Sequence, residues 1–129
     1  MTISRAVLED VLAHAREEHP RECCGLLVGS NDRITDAIRA KNLAERADRY
    51  LIDPADHIKA RRTAREQGRE IAGFYHSHPA GAIYPSTTDI AEAAYPDAVY
   101  LIVSGAGEAR LFRLIGQEVR EIALTVEPC

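Results

Sequence analysis

The stretch His76-Ser77-His78-Pro79-Ala80-Gly81-Ala82-Ile83-Tyr84-Pro85-Ser86-Thr87-Thr88-Asp89 decides how the chain is read. In a β-strand, side chains i and i+2 share a face. A strand ending here therefore aims His76 and His78 at one point and turns Ser77 away. Pro79 breaks the strand. Ser86 and Asp89 are three apart, so the first turn of a helix makes them neighbours. Two imidazoles and one carboxylate form a three-ligand site whose fourth position is left to water. That is the pattern of catalytic zinc, whereas structural zinc is usually closed by four protein ligands, often with cysteine. A bare His-x-His pair recurs by chance, and the spacing to Pro79, Ser86 and Asp89 is what makes this one specific.

Upstream, Glu70 to His78 reads as a central strand. Ile71, Gly73 and Tyr75 fall on one face, and Ala72, Phe74, His76 and His78 on the other. Downstream, Ser86 or Thr87 caps a helix running to about Ala94. Cys23 to Val28 is a nearly continuous apolar run, as expected of a strand buried on both faces. Glu22 stands at its mouth, where a carboxylate is either solvated or aimed into a site. Ser30-Asn31-Asp32 is a turn cluster, and Arg33 to Ala40 pairs back as a hairpin.

The remaining elements follow from local pattern. Ser4 caps a helix to Glu18 that Pro20 ends, with Leu8, Val11, Leu12 and Ala15 on one face and His14 and His19 exposed. Lys41 to Asp48 is a loop, and Arg49 to Ile52 a short strand. A helix with Pro54 in its first turn carries Ile58, Ala60 and Ala64, with His57 on the surface, and Gly68 stops it. Ala98 to Val103, Glu108 to Ile115 and Glu118 to Val126 read as strands. The sum is one α/β domain, residues 1–129, with a single mixed sheet, flanking helices and a site at one strand's end.

Composition narrows the function. The chain has 129 residues, 46% apolar and 28% charged, a size that suits one domain with one core. No apolar run approaches the ~20 residues that span a bilayer. The first twenty residues lack an apolar signal core, so the expected location is the cytoplasm and no membrane role is expected. Net charge is -4, which argues against nucleic acid. Arg61, Arg62, Arg65 and Arg69 are interspersed with Glu66 and Glu70 as a solvated face. Three cysteines, Cys23, Cys24 and Cys129, without a Cys-x-x-Cys pair, exclude a disulfide framework and a thiolate zinc knuckle. Cys23 and Cys24 read as small buried apolar residues.

Glu22, His76-x-His78-Pro79 and Ser86-x-x-Asp89 together resemble the signature of the JAMM (MPN-plus) zinc metalloproteases, and Gly25 and Gly29 fit it as well. The resemblance implies the family's sheet with flanking helices, similar to the cytidine-deaminase arrangement. It implies one zinc ion on His76, His78 and Asp89, with Glu22 as general base and Ser86 donating to the developing oxyanion. Ser86 also reads as a helix cap, and it can be both. The implied reaction is hydrolysis of the peptide or isopeptide bond after the C-terminal glycine of a ubiquitin-like protein. The short spacing between Pro79 and Ser86 resembles the compact prokaryotic branch, whose partners are small sulfur-carrier proteins ending in Gly-Gly. The alternatives are a non-catalytic scaffold of the same fold and a zinc deaminase. The deaminase pattern needs His-x-Glu and Pro-Cys-x-x-Cys, which this sequence lacks.

Overall fold

The computed structural model describes residues 1–30 and 32–128. Asn31, of the expected turn cluster, and the terminal Cys129 lie outside them. The elements are β1 (Thr2–Ser4), α1 (Arg5–Glu18), β2 (Cys24–Ser30), β3 (Arg33–Ala40), α2 (Pro54–Glu66), β4 (Glu70–Ser77), α3 (Thr87–Glu92), β5 (Val99–Val103), β6 (Ala109–Ile115), β7 (Glu118–Ile122) and β8 (Thr125–Glu127). The strands form one sheet in the order β7-β6-β5-β4-β2-β3-β1-β8. Pairs β4–β5, β1–β3 and β1–β8 are parallel and the others antiparallel, so the sheet is mixed as expected.

The expected long last strand is in fact two. Ala123 and Leu124 separate β7 from β8, and these two strands occupy opposite edges of the sheet. Edges joined by two residues must lie close together, so the sheet is curled. The pattern of the last strand gave no sign of this, because the break has neither glycine nor proline. β1 was also hidden, as three residues ahead of a helix cap carry little periodicity.

The curl has an inside. Ser4 caps α1 by accepting the N–H of Val7 at 3.2 Å. The helix buries Leu8, Val11 and Ala15, which meet Ile3, Leu27, Ile34, Tyr75, Leu101 and Leu111 from strands across the whole sheet. Ile122 and Val126, from the two edges, pack on the same cluster. Each such aliphatic side chain contributes about 1.5–3 kcal/mol on full burial. The outer face holds a second cluster of Leu26, Phe74, Tyr100, Ile102, Phe112 and Leu114, covered by Ala60 of α2 and by Ile83.

Gly25 is required by the inner face. It stands opposite Tyr75, and a Cβ there would lie 2.2 Å from the Tyr75 ring and 2.5 Å from the Ile38 carbonyl oxygen. A register shift between Leu27 and Val28 in the β2–β4 pairing moves Ile71 to the outer cluster with Phe74, not to the Tyr75 face as alternation suggested. Other local readings change too. Residues 49–52 make only an isolated bridge, Asn42 with Ile52, and no strand. Ile58 of α2 faces solvent. α3 stops at Glu92, where Ala93 leaves helical backbone. Among the described residues no helix is long and apolar enough to cross a membrane.

Candidate active site

β4 lies in the middle of the sheet, between β2 and β5, and its C-terminal end carries the site. His76 is fully buried on the outer face, and His78 follows just beyond the strand, held there by donating its N–H to the Val103 carbonyl at 2.9 Å. After the loop through Gly81, Ser86 caps α3. Its Oγ accepts the N–H of Asp89 at 3.0 Å, and the Asp89 carboxylate accepts the N–H of Ser86 at 2.9 Å. This reciprocal capping box fixes the Asp89 side chain.

The expected residues meet. His76 Nε2, His78 Nε2 and Asp89 Oδ2 form a triangle with all three sides 3.1 Å. His78 Nδ1 donates to the Ala82 carbonyl at 2.9 Å. A carbonyl can only accept, so this bond leaves Nε2 with a bare lone pair facing the triangle. Glu22 enters from the mouth of β2, and its carboxylate oxygen lies within 4.8 Å of both imidazole nitrogens. Its buried Oε1 has no hydrogen-bond partner among the described residues.

The electrostatics follow from burial and from Asp89. Burial pushes the Glu22 carboxyl up from its ordinary value to about 7, against the pull of His78. Burial lowers His76. Burial is the largest single influence on His78 and Asp89 and opposes charge on each, but the polar contacts together outweigh it: Asp89 and the Ala82 carbonyl on His78, and both imidazoles and the Ser86 N–H on Asp89. His78 is raised and Asp89 is held well below the usual carboxylate range.

Three electron-rich atoms converging in a buried site need a shared cation. A proton on His78 satisfies one side of the triangle; a divalent metal satisfies all three. Donor atoms about 2.0–2.2 Å from one tetrahedral zinc lie about 3.3–3.6 Å apart. The observed 3.1 Å needs only a few tenths of an ångström of relaxation. The donor set of two nitrogens and one oxygen fits zinc.

A family model described as prokaryotic homologs of the JAB domain matches residues 4–115. The chain belongs to this JAB family. It is a compact prokaryotic JAMM-type protease. It is 37% identical to the desampylase of Haloferax volcanii, over 98% of this chain and all of the relative. It is 33% identical to the CysO-cysteine peptidase of Mycobacterium tuberculosis, over 98% of this chain and 90% of the relative. A Desulfitobacterium hafniense protein solved in solution superimposes with a TM-score of 0.89 at 30% identity, covering 98% of this chain and 92% of that one.

In this JAB-family protein a groove of about 490 Å³ opens beside the triangle, lined by Glu22, His78, Ser86, Thr88, Arg46 and Arg49. A separate aromatic cavity, about 620 Å³, lies across the segment from Arg46 to Tyr50 and is floored by Phe74 and Tyr100. His57 borders that cavity, edge-on to Phe74 and Tyr95, and is not part of the triangle. His19 is exposed as expected. His14 is not: it is buried on the inner face and bonded through Nδ1 to the Tyr75 hydroxyl at 2.7 Å.

Two site neighbours escaped the sequence. Tyr50 stacks on His76, ring centroids 4.3 Å apart and planes at 19°. Asn42 donates to the Glu22 carbonyl at 2.9 Å. Asn42 sits in a stretch read as a loop and Tyr50 in one read as a short strand, and no spacing links either to the histidines.

Proposed function

We propose that this protein is a zinc metallopeptidase that hydrolyses the peptide or isopeptide bond after the C-terminal glycine of a ubiquitin-like or sulfur-carrier protein. The observation that carries the reading is the triangle of His76, His78 and Asp89 with the Glu22 carboxylate beside it. Relatives named desampylase and CysO-cysteine peptidase support the substrate class.

His76, His78 and Asp89 hold one zinc ion. When bound, zinc supplies Lewis acidity, which makes water more acidic and polarises a carbonyl. The protein's own groups do the rest. Glu22 takes a proton from the attacking water and passes it to the departing amine as the carbon–nitrogen bond breaks. An unshifted Glu is a weak base at neutral pH, and one raised to about 7 is matched to the task. The positive charge of a neighbouring cation draws that value down.

Ser86 serves two purposes with different parts of one hydroxyl. Its Oγ lone pair accepts the Asp89 N–H, and its proton is left to donate toward the groove. Such a donor contributes about 2.7–4 kcal/mol to stabilising an oxyanion.

The test is direct. The zinc-loaded protein is incubated with a ubiquitin-like carrier bearing a C-terminal extension, and the products are weighed. Release of a carrier ending at its terminal glycine is the expected result. An intact fusion, with zinc bound, favours the non-catalytic scaffold.

A further inference from the structure

The segment Asn42–Leu51 has no regular structure, yet it touches two of the groups just proposed, Glu22 and His76. Asn42 uses its full hydrogen-bonding capacity. Its amide donates to the Glu22 carbonyl at 2.9 Å and to the Arg49 carbonyl at 3.0 Å. Its oxygen accepts the N–H groups of Ala44 and Leu51, both at 2.9 Å. The Ala47 carbonyl accepts the N–H of Glu22 at 3.2 Å. Both backbone polar groups of Glu22 are therefore bound by this one segment, and the Arg21 guanidinium is tied to the Ala44 carbonyl next to it.

The same segment reaches His76. Metal-binding histidines ordinarily hold their second ring nitrogen with a hydrogen bond. His78 does so through Ala82. His76 does not, since its Nδ1 is buried with no partner among the described residues. The Tyr50 ring lying flat on the imidazole is what fixes its plane. Finally, Arg49 pairs with Glu92, one turn along α3 from Asp89.

We propose that Asn42–Leu51 is a template for the active site, with Asn42 as the positioning residue for Glu22 and Tyr50 as the positioning residue for His76. The inference rests on the peptidase reading above and deepens it. The template acts through the backbone of Glu22 and the ring face of His76, and neither Asn42 nor Tyr50 touches the reacting atoms. A bracing segment that is only structural lowers the melting temperature and leaves turnover per folded molecule unchanged. A template changes the turnover or the metal affinity itself.

Four full-length variants separate these outcomes: Glu22→Gln, Asn42→Asp, Tyr50→Leu and Tyr50→Phe. Each is assayed for kcat and KM on a carrier fusion, for zinc affinity by chelator competition, and for thermal midpoint. Asn42→Asp keeps both acceptor contacts and loses both donors. It lowers kcat about tenfold, as loss of an orienting partner does, with KM and zinc affinity unchanged. Tyr50→Leu weakens zinc binding about tenfold. Tyr50→Phe keeps wild-type affinity, because the stack uses the ring and not the hydroxyl. If Asn42→Asp fails to fold, the Tyr50 pair decides alone, and equal zinc affinities for Leu and Phe overturn the template. Wild-type kcat in Asn42→Asp together with wild-type zinc affinity in Tyr50→Leu also overturns it, while an inactive Glu22→Gln keeps the peptidase reading standing. An active Glu22→Gln sinks the general-base role of Glu22 instead, and a zinc-loaded wild type that leaves the fusion intact sinks the peptidase reading.

Discussion

Two buried histidine clusters sit back to back on β4. On the inner face His14 meets Tyr75, and on the outer face His76 meets His78 and Asp89. His14 and His76 are buried to nearly the same degree, and both clusters contain polar groups that water cannot reach. The inner pair closes on itself: one nitrogen, one hydroxyl, one hydrogen bond. The outer cluster does not close. Three lone-pair donors point at one spot, and among the described residues neither the Glu22 oxygen beside them nor His76 Nδ1 has a partner. Burial of polar side chains therefore does not mark a site by itself. Convergence without internal satisfaction does, because the missing partner must come from outside the chain.

The sharpest way to break this contrast is at Glu22. Glu22→Gln removes a proton carrier while keeping shape, and is expected to lower kcat/KM about 10²–10⁴-fold, the range for general acid–base groups. Zinc stoichiometry stays at that of the wild type. Steady-state kinetics alongside elemental analysis checks both.

Asp89→Ala attacks the triangle and the capping box at once. Loss of metal is the main effect, read as a zinc-to-protein ratio falling toward zero. Loss of the cap adds about 1 kcal/mol of destabilisation. Zinc retained at the wild-type ratio would remove Asp89 from the ligand set.

Taking the metal away lets Glu22 report its own strain. Its carboxyl is raised by burial from 4.5 to about 7. Between those values the folded state holds a proton that the unfolded state has released. Stability from this group therefore falls as pH rises from 4.5 to about 7, by about 3 kcal/mol in all. Metal-free Glu22→Gln escapes that loss, so it is expected to be more stable than the metal-free wild type at pH 8, with the gap closing toward pH 4.5. Chemical denaturation across that range measures it, and a constant gap contradicts the raised carboxyl.

Much of this was legible in the sequence. Period-two spacing brought His76 and His78 to one face, and three-residue spacing brought Ser86 and Asp89 to one turn. The apolar run after Glu22 read correctly as a strand buried on both faces. What was hidden depends on contacts far along the chain. His14 looked exposed because its helix is rich in charge, and only the curl of the sheet carries Tyr75 to it, 61 residues away. Tyr50 and Asn42 work through a ring stack and an amide hub, neither of which has a repeat that a sequence can display. The two-residue break at Ala123 and Leu124, which curls the sheet, lacks the glycine or proline that usually announces one.

The inner cluster offers the smallest effects and the control. His14→Phe leaves the Tyr75 hydroxyl buried and unpaired, which costs about 1–3 kcal/mol. Gly25→Ala pushes a methyl into the same ring and costs about 1–3 kcal/mol by overpacking. Thermal or denaturant unfolding reads both. Turnover per folded molecule is expected to be unchanged in His14→Phe, in contrast to every change at the outer cluster.

The most direct measurement is anomalous diffraction at the zinc edge from crystals of the zinc-loaded protein. The account predicts one strong peak per chain, in bonding contact with His76 Nε2, His78 Nε2 and Asp89 Oδ2 and on the side of Glu22. A peak bound elsewhere, or three side chains turned away from one another around an empty position, would contradict it.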